Sequence, residues 1–213
     1  MRSQLLALIF LTLTTALPTP SPKPESLSHP LYPRNATGVF DVARAGGVLN
    51  PDAAAEANPR DDTATRAFTS APIKSSSGQC LFVDPAAGDF RENLIPVTLK
   101  TCDGSAEQGF DIITSGKHNQ AENSILIVSS VTQGCLNFDP RRAADDQVIM
   151  FSCGGRADGG GDSTDSQLFA FKAGETSLAL APNNGGGTTC LVDDGAKLGS
   201  AACGGAGQLF TIG

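Results

Sequence analysis

The chain has 213 residues and a formal net charge of −7, a length that suffices for one ordinary domain plus additional segments but not for two large domains. The 15 basic residues are scattered among 22 acidic ones, which argues against nucleic acid as a partner because phosphate binding requires clustered Lys and Arg. With no Trp and a single Tyr, aromatic platforms for ligands would have to be built from Phe or His.

The first residues predict an export signal. Arg2 provides a positive charge, residues 5–16 are mostly apolar, and residues 14–16 form a cleavage site with small side chains, so residues 1–16 are interpreted as a signal peptide. The apolar segment is shorter than the about 20 residues that a membrane-spanning helix needs, and no later segment approaches that length. We therefore expect a secreted, extracellular protein without membrane insertion.

The next segment, residues 17–66, is rich in Pro, Ala, Ser, Asp and Asn and contains no Cys. Such a composition buries too little apolar surface to offset the entropy of ordering, so it predicts a disordered tail or a pro-segment. The segment contains an Asn-Ala-Thr sequon that predicts a glycan at Asn35, although a chance match of the motif explains it equally well.

From about residue 67 the sequence changes to short apolar segments separated by Gly, Asn, Asp and Pro, which is typical of many short strands. Three similar stretches begin at Cys80, Cys135 and Cys190. Each contains Cys-Leu, an Asp four residues after the Cys, a second Cys with Gly two residues later, and Gln-x-Phe. Periodic similarity of this kind indicates structural repeats. We place the repeats at about 67–122, 123–174 and 175–213.

Each repeat is expected to form four strands: a lead-in strand, two strands that carry the cysteines, and the Gln-x-Phe strand. Twelve strands in an open sheet would leave long unprotected edges. The last Gln-x-Phe strand ends close to residue 213, where it can pair with the first lead-in strand. We therefore predict an all-β, closed threefold barrel.

Six cysteines allow 15 pairings, and the symmetry of the repeats selects one disulfide within each repeat. A metal site is the weaker interpretation, because there is no C-x-x-C motif and the two His residues lie in unrelated contexts. No metal and no cofactor are expected. The predicted disulfides are Cys80–Cys102, Cys135–Cys153 and Cys190–Cys203.

The combination of a Cys-Leu strand, a second Cys and Gln-x-aromatic, three times over, resembles the ricin B-type β-trefoil lectins, and small secreted fungal members in particular. The Q-x-W motif of that family stands here as Q-x-F. The resemblance implies a β-trefoil over residues 67–213, in which the Phe fills the barrel and the Gln supports a neighbouring loop. The residues concerned are Gln108 and Phe110, Gln167 and Phe169, and Gln208 and Phe210.

Members of this family that bind galactose have an Asp two residues after the first Cys, a stacking aromatic residue, and an Asn before the Gln. In this sequence the first position holds Phe82, Asn137 and Val192, and the last holds Glu107, Ser166 and Gly207. Asn137 is thus the residue that retains a polar group in the place expected from the resemblance.

An acid recurs instead four residues after the first Cys, as Asp84, Asp139 and Asp194. A displaced sugar site could use these carboxylates as acceptors, with Phe90 or Arg142 as supporting surface. Alternatively, the Asp-Pro and Asp-Gly sequences open turns, in which the Asp side chain caps the backbone.

The middle repeat is the best candidate for a binding site, since it combines Asn137 and Asp139 with Arg141-Arg142. The two arginines are either solvated surface or a dibasic processing site. The loop at residues 156–165 contains three more acids, which could bind Ca²⁺ or lie on a flexible surface loop.

No catalytic motif is present. The repeat region contains a single His, which leaves few residues for a Ser-His or Cys-His catalytic pair. We expect a non-enzymatic, monomeric, carbohydrate-binding protein whose partners are glycans or glycoproteins. The alternative is a secreted β-trefoil that acts on proteins through its loops, such as a protease inhibitor, or an effector or antigen without sugar binding.

Overall fold

The computed structural model describes residues 49–213; the predicted signal peptide and Asn35 lie outside this range. Among these residues no helix is long and apolar enough to cross a membrane. One short helix, α1 (Pro51–Ala57), precedes the strands. The strands are β1 (Thr65–Ala71), β2 (Ile73–Ser75), β3 (Cys80–Val83), β4 (Ile95–Lys100), β5 (Phe110–Ser115), β6 (Ser124–Ser129), β7 (Cys135–Phe138), β8 (Val148–Phe151), β9 (Phe169–Ala170), β10 (Ser177–Ala179), β11 (Thr189–Asp193), β12 (Leu198–Ala202) and β13 (Leu209–Ile212).

Six lead-in and Gln-x-Phe strands close into a barrel. Only Pro72 separates β1 from β2, so the two act as one bent lead-in strand: β1 pairs with β5, and β2 pairs with β13. Pairing continues from β5 to β6, from β6 to β9, and from β10 to β13. The remaining gap is bridged where Phe169 pairs with Pro182, just beyond β10. The last strand therefore returns to the first, as predicted.

The other six strands form three hairpins, β3–β4, β7–β8 and β11–β12. The hairpins contact one another: Ile95 of β4 pairs with Met150 of β8, and Thr98 of β4 pairs with Lys197 beside β12. A six-stranded barrel with three associated hairpins is the β-trefoil architecture, so the predicted fold is confirmed.

Alternation along each strand decides which side chains enter the barrel. In β8, Val148 and Met150 belong to the main hydrophobic cluster, whereas Ile149 and Phe151 point to the opposite side. The Phe residues of the three Gln-x-Phe motifs are completely buried in that cluster, as the resemblance implies. The alternation thus leaves an outward face on β7–β8 that is free to form a site.

The three Gln side chains have a common structural role. Each Nε2 donates to the carbonyl of the residue before the second Cys of the same repeat, and each Oε1 accepts from a backbone N–H just after that Cys. The Nε2 distances are 2.8 Å for Gln108 to Thr101, 3.0 Å for Gln167 to Ser152 and 2.7 Å for Gln208 to Ala202. The Gln therefore fixes the turn that follows the hairpin.

We expect Gln167→Ala to lower the free energy of unfolding by about 2 kcal/mol, because the buried side chain is lost and the N–H of Gly154 loses its acceptor. Urea unfolding of the full chain measures the effect. Gln120→Ala is the matched control, since Gln120 is exposed. Equal stability of the two variants would contradict this role for Gln167.

The three disulfides are Cys80–Cys102, Cys135–Cys153 and Cys190–Cys203, the pairs predicted from the repeats. Each joins the first strand of a hairpin to a residue one or two positions after its second strand. They close loops with sequence separations of 22, 18 and 13 residues. Loops of this size contribute about 3 kcal/mol each, mainly by restricting the unfolded chain.

The prediction of a disordered tail up to residue 66 is wrong for residues 49–66. Asn50 caps α1 by accepting from the N–H of Ala53 at 3.1 Å, Pro51 occupies the first turn, and β1 begins at Thr65. A composition rich in Ala, Pro and Asp indicated disorder, but Asn-Pro-Asp also starts a helix. We call residues 49–64 the strap. Residues 17–48 of the predicted tail lie outside the described part of the chain.

Candidate functional site

A groove of about 640 Å³ lies over the outward face of the β7–β8 hairpin. Its walls come from four segments of the chain: the end of the β3–β4 loop, the β7–β8 hairpin and its turn, the loop before β9, and the loop before β11. The lining residues are Leu94, Asn137, Phe138, Asp139, Pro140, Arg141, Arg142, Ile149, Phe151, Gly155, Thr164, Asp165, Ser166 and Asn184.

The register of the hairpin builds the floor of the groove. Asn137 pairs with Ile149, and Cys135 pairs with Phe151, so the outward side chains of β8 lie next to the amide of Asn137. Phe151 is partly exposed, whereas Ile149 is almost fully covered. The floor therefore combines an accessible aromatic ring with one polar side chain.

Asn137 is held in place by the wall opposite to it. Its Oδ1 accepts from the hydroxyl of Ser166 at 2.8 Å, which fixes the orientation of the amide. Within residues 49–213 no acceptor engages its Nδ2, which leaves this nitrogen as a donor for a ligand. Asn184 closes the far wall by donating to the carbonyl of Phe138 at 3.0 Å.

Asp139 serves a turn and an ion pair. Its carboxylate accepts from the backbone N–H of Arg141 at 3.0 Å and from the guanidinium of the same residue at 2.8 and 2.9 Å. The hydrogen bonds from the Arg141 side chain lower the pKa of Asp139 although partial burial opposes this. The turn interpretation of this acid thus agrees with the structure, and its oxygens are already engaged at the rim of the groove.

Arg142 is also paired. Its Nε donates to the carbonyl of Asp146 at 2.8 Å, and an Nη contacts the carboxylate of the same residue. The Arg142 side chain is mostly buried, in contrast to Arg141, which is 88% exposed. Both arginines therefore have carboxylate partners in the turn that ends the groove.

Asp165 brings a carboxylate to the groove that no hydrogen bond or ion pair engages within residues 49–213. The sequence had suggested this acid as a Ca²⁺ ligand, together with Asp158 and Asp162. In the described part of the chain no three His, Cys, Asp or Glu residues are close enough to hold a metal ion. Asp158 instead pairs with Arg156 at 2.7 Å, which lowers the pKa of Asp158 to about 2.

The loop at residues 156–165 is fixed at several points, so the expectation of a flexible surface loop is not supported. Asn93 donates to the carbonyl of Ala157 at 3.1 Å, and His118 contacts the carbonyl of Asp162 at 2.7 Å. The loop also lies against the strap, since a Cβ added to Gly159 would stand 2.7 Å from the carbonyl of Ala57. These contacts position the part of the loop that lines the groove.

Three of the predicted site residues lie elsewhere. Asp84 accepts from the N–H of Ala86 at 2.9 Å and caps a turn, and Phe90 is 42% exposed beside the guanidinium of Arg91. Asp194 does not take the corresponding turn position. These residues do not line the groove, which unites Asn137, Asp139 and Arg142 alone among the six.

In the third hairpin the turn carboxylate belongs to Asp193, three residues after the Cys, and not to Asp194. Asp193 accepts from the N–H of Gly195 at 2.8 Å and from the hydroxyl of Ser77 at 2.6 Å. The prediction for Asp194 was wrong because residues 194–197 alone connect the paired residues Asp193 and Leu198, a shorter connection than in the other hairpins. The carboxylate that caps this turn therefore comes from the last strand residue, Asp193.

Several lining residues were not predicted from the sequence. Phe151 could have been found, because alternation along Val-Ile-Met-Phe places it opposite the buried Met150. Leu94 had no local signal, since it belongs to the loop of the preceding hairpin. Asn184 lies in a Gly-rich loop whose position depends on how the repeats pack.

No protein-family model and no curated protein matches the chain. Among solved structures it is similar to part of a mosquitocidal holotoxin, with a TM-score of 0.50 and 17% identity over 67% of this chain and 16% of the toxin chain. It is also similar to the designed threefold-symmetric protein ThreeFoil, with a TM-score of 0.49 and 15% identity over 67% of this chain and 96% of that one.

A third similar structure is the BEL β-trefoil, with a TM-score of 0.47 and 15% identity over 73% of this chain and 97% of that one. At such identities the similarity concerns the fold alone.

Proposed function

We propose that this protein is a secreted, non-catalytic carbohydrate-binding protein and that the groove on the β7–β8 hairpin holds the sugar. The observation that carries the proposal is the composition of the groove: an accessible aromatic ring, an amide with an unused donor and a carboxylate with unused acceptors surround about 640 Å³. This volume lies in the usual range for small-molecule sites.

The chemistry of a sugar ring matches this arrangement. A pyranose presents C–H groups on one face and hydroxyls around its edge. Phe151 offers an apolar face for the former, while the Nδ2 of Asn137 and the carboxylate of Asp165 offer a donor and an acceptor for the latter. Fixed polar groups beside an apolar surface orient a ligand and give specificity.

The carboxylate of Asp139 supports binding rather than glycoside hydrolysis. A general acid needs a raised pKa to hold its proton near neutral pH. The pKa of Asp139 is lowered by Arg141, so its carboxylate stays ionised. Glu92, whose pKa is raised by burial, does not line the groove. The three disulfides are in keeping with an oxidising, extracellular location.

We expect Asn137→Ala to weaken binding to the best ligand of a glycan array about tenfold, the effect of losing one hydrogen bond of about 1.4 kcal/mol. The full chain is screened first, and the dissociation constant of the variant is then measured by calorimetry. Val192→Ala is the matched control, since Val192 is the corresponding residue of β11, also two after its Cys. The proposal is wrong if the wild-type protein binds no glycan, or if both variants bind alike.

A second candidate is inhibition of a protease, which the loop at residues 156–162 favours. A substrate-like inhibitor presents an exposed side chain on a fixed loop, and here Arg156 is 65% exposed while Asn93, His118 and the strap hold the loop. Trypsin-like proteases would be the target class. This function would be favoured if the protein bound no glycan on the array and inhibited trypsin, and if Arg156→Ala abolished the inhibition.

A further inference from the structure

Leu94 connects two repeats at the groove. It follows the β3–β4 loop of the first repeat, yet its side chain lines the groove on the hairpin of the second. Its backbone has φ +62°, in the left-handed region that residues with a Cβ disfavour. Gly would adopt this conformation without strain. The side chain of Leu94 is therefore placed in the groove against the preference of its own backbone.

The neighbour of Leu94 holds it there. Asn93 is completely buried, and its Oδ1 accepts from the N–H of Ser152 at 2.6 Å and from the hydroxyl of Ser152 at 2.8 Å. Its Nδ2 donates to the carbonyl of Ala157, and its own N–H donates to Asp89. Buried and bonded through its Oδ1, its Nδ2 and its backbone N–H, Asn93 fastens the first hairpin loop to the end of β8.

The strand register shows what Leu94 meets. Pro96 pairs with Ile149 and Ile95 pairs with Met150, and the same register extended by one residue beyond the end of the ladder places Leu94 opposite Phe151. The bonds between Asn93 and Ser152 join the residues adjacent to these two. Leu94 and Phe151 thus form one apolar surface in the groove, assembled from two repeats.

We propose that Leu94 and Phe151 together hold the apolar face of a neutral pyranose, and that Leu94 is a specificity-determining residue. The inference rests on the proposed carbohydrate binding. Strained backbone conformations persist where the surrounding structure enforces them, and they concentrate at ligand sites. Leu94 of the first repeat adds an apolar side chain to the groove, next to Phe151 of the second repeat.

The charges of the groove favour a neutral ligand over an acidic one. Asp139 pairs with Arg141, and Arg142 pairs with Asp146, so these charges are compensated within the turn. Asp165 is the lining carboxylate without such a partner among the described residues. A carboxylated sugar would meet an uncompensated like charge, which discriminates against it.

The test compares Leu94→Gly with Glu92→Gly in the full chain. Glu92 also has a positive φ, of +57°, but does not line the groove, so both substitutions relieve the same kind of strain. Binding of the methyl glycosides of galactose, glucose and mannose, and of the matching uronic acids, is followed by NMR titration. Thermal unfolding checks that the variants are folded.

For the wild-type protein we expect binding of at least one neutral glycoside and at least tenfold weaker binding of its uronic acid. Leu94→Gly should lose at least tenfold in affinity without a lower Tm, and Phe151→Ala should lose affinity similarly, whereas Glu92→Gly should bind like the wild type. Asp165→Asn should bring the uronic acid to within about threefold of the neutral sugar.

Two results would overturn the inference while leaving carbohydrate binding in place: unchanged affinity in Leu94→Gly, or a wild-type preference for the uronic acids. A wild-type protein that binds none of these glycosides, and no glycan on the array, would instead overturn the proposed function, and the inference with it.

Discussion

Phe169→Ala is expected to lower the free energy of unfolding by about 3–5 kcal/mol, the usual cost of removing a completely buried Phe side chain. The residue lies in β9, a strand of only two residues that pairs with Ile125 of β6 and with Pro182. It therefore fills the barrel at the place where few backbone bonds close it. The cavity left by the ring would have little strand structure around it to collapse.

The measurement is urea unfolding of the full chain with its disulfides intact. Phe90→Ala is the matched control, because Phe90 is 42% exposed and its truncation should change stability by no more than about 0.5 kcal/mol. If the two variants were equally stable, Phe169 could not be the core residue that the fold assigns.

The core and the disulfides were predictable because the same constraint acts three times. A single Gln-x-Phe says little, but three copies at equivalent distances from paired cysteines indicate one packing solution repeated around an axis. Phe110, Phe169 and Phe210 consequently lie in the barrel. Their Gln partners hold the turns after the hairpins, as the resemblance implied.

The groove was predictable in part, for a related reason. Asn137 stands out because it is a polar residue at a position where the other two hairpins have Phe82 and Val192. Leu94 could not be recognised in the same way. Its role depends on a contact between two repeats, which the buried Asn93 establishes over a sequence separation of 59 residues.

Positions that break the symmetry were predicted poorly. The turn of the third hairpin uses Asp193 instead of Asp194, because the loop is shorter than in the other copies. The strap has no counterpart in the other repeats, so repeat symmetry could not predict its ordered structure, and its composition indicated disorder. Its order comes from tertiary contacts: Asn58 donates to the carbonyl of Arg91, and the Asp61 carboxylate accepts from the N–H of Lys117. The next strand, β1, is held by the buried carboxylate of Asp111.

Asp111→Ala is expected to lower the free energy of unfolding by about 3 kcal/mol. The Asp111 side chain is 3% exposed and accepts from the Nε of Arg66 at 2.7 Å and from the N–H of Ser70 at 2.9 Å. Its removal leaves the Arg66 side chain, only 14% exposed, without its carboxylate. Losing one partner of a buried ion pair costs about 3–5 kcal/mol, and the lower end applies because the guanidinium also contacts two carbonyls.

Urea unfolding measures the loss of stability, and hydrogen exchange shows where it acts. Amides of β1 should exchange faster in the variant, since Asp111 fastens this strand to β5 by side-chain contacts in addition to an irregular ladder. Asp62→Ala is the control. The Asp62 side chain, which pairs with Arg60, is 87% exposed, so its removal should lower the free energy of unfolding by about 0.5 kcal/mol or less.

The double variant Arg66→Ala, Asp111→Ala separates the two origins of the effect. If the unpaired charge dominates, the double variant is more stable than Asp111→Ala alone, because no buried guanidinium remains. If the strand instead depends on the bond to Ser70, the double variant is no more stable than the single one. Either result is compatible with Asp111 as the residue that stabilises β1, provided that Asp111→Ala lowers the free energy of unfolding much more than Asp62→Ala does. If Asp111→Ala lowers it no more than Asp62→Ala, the strap and β1 are held by other contacts.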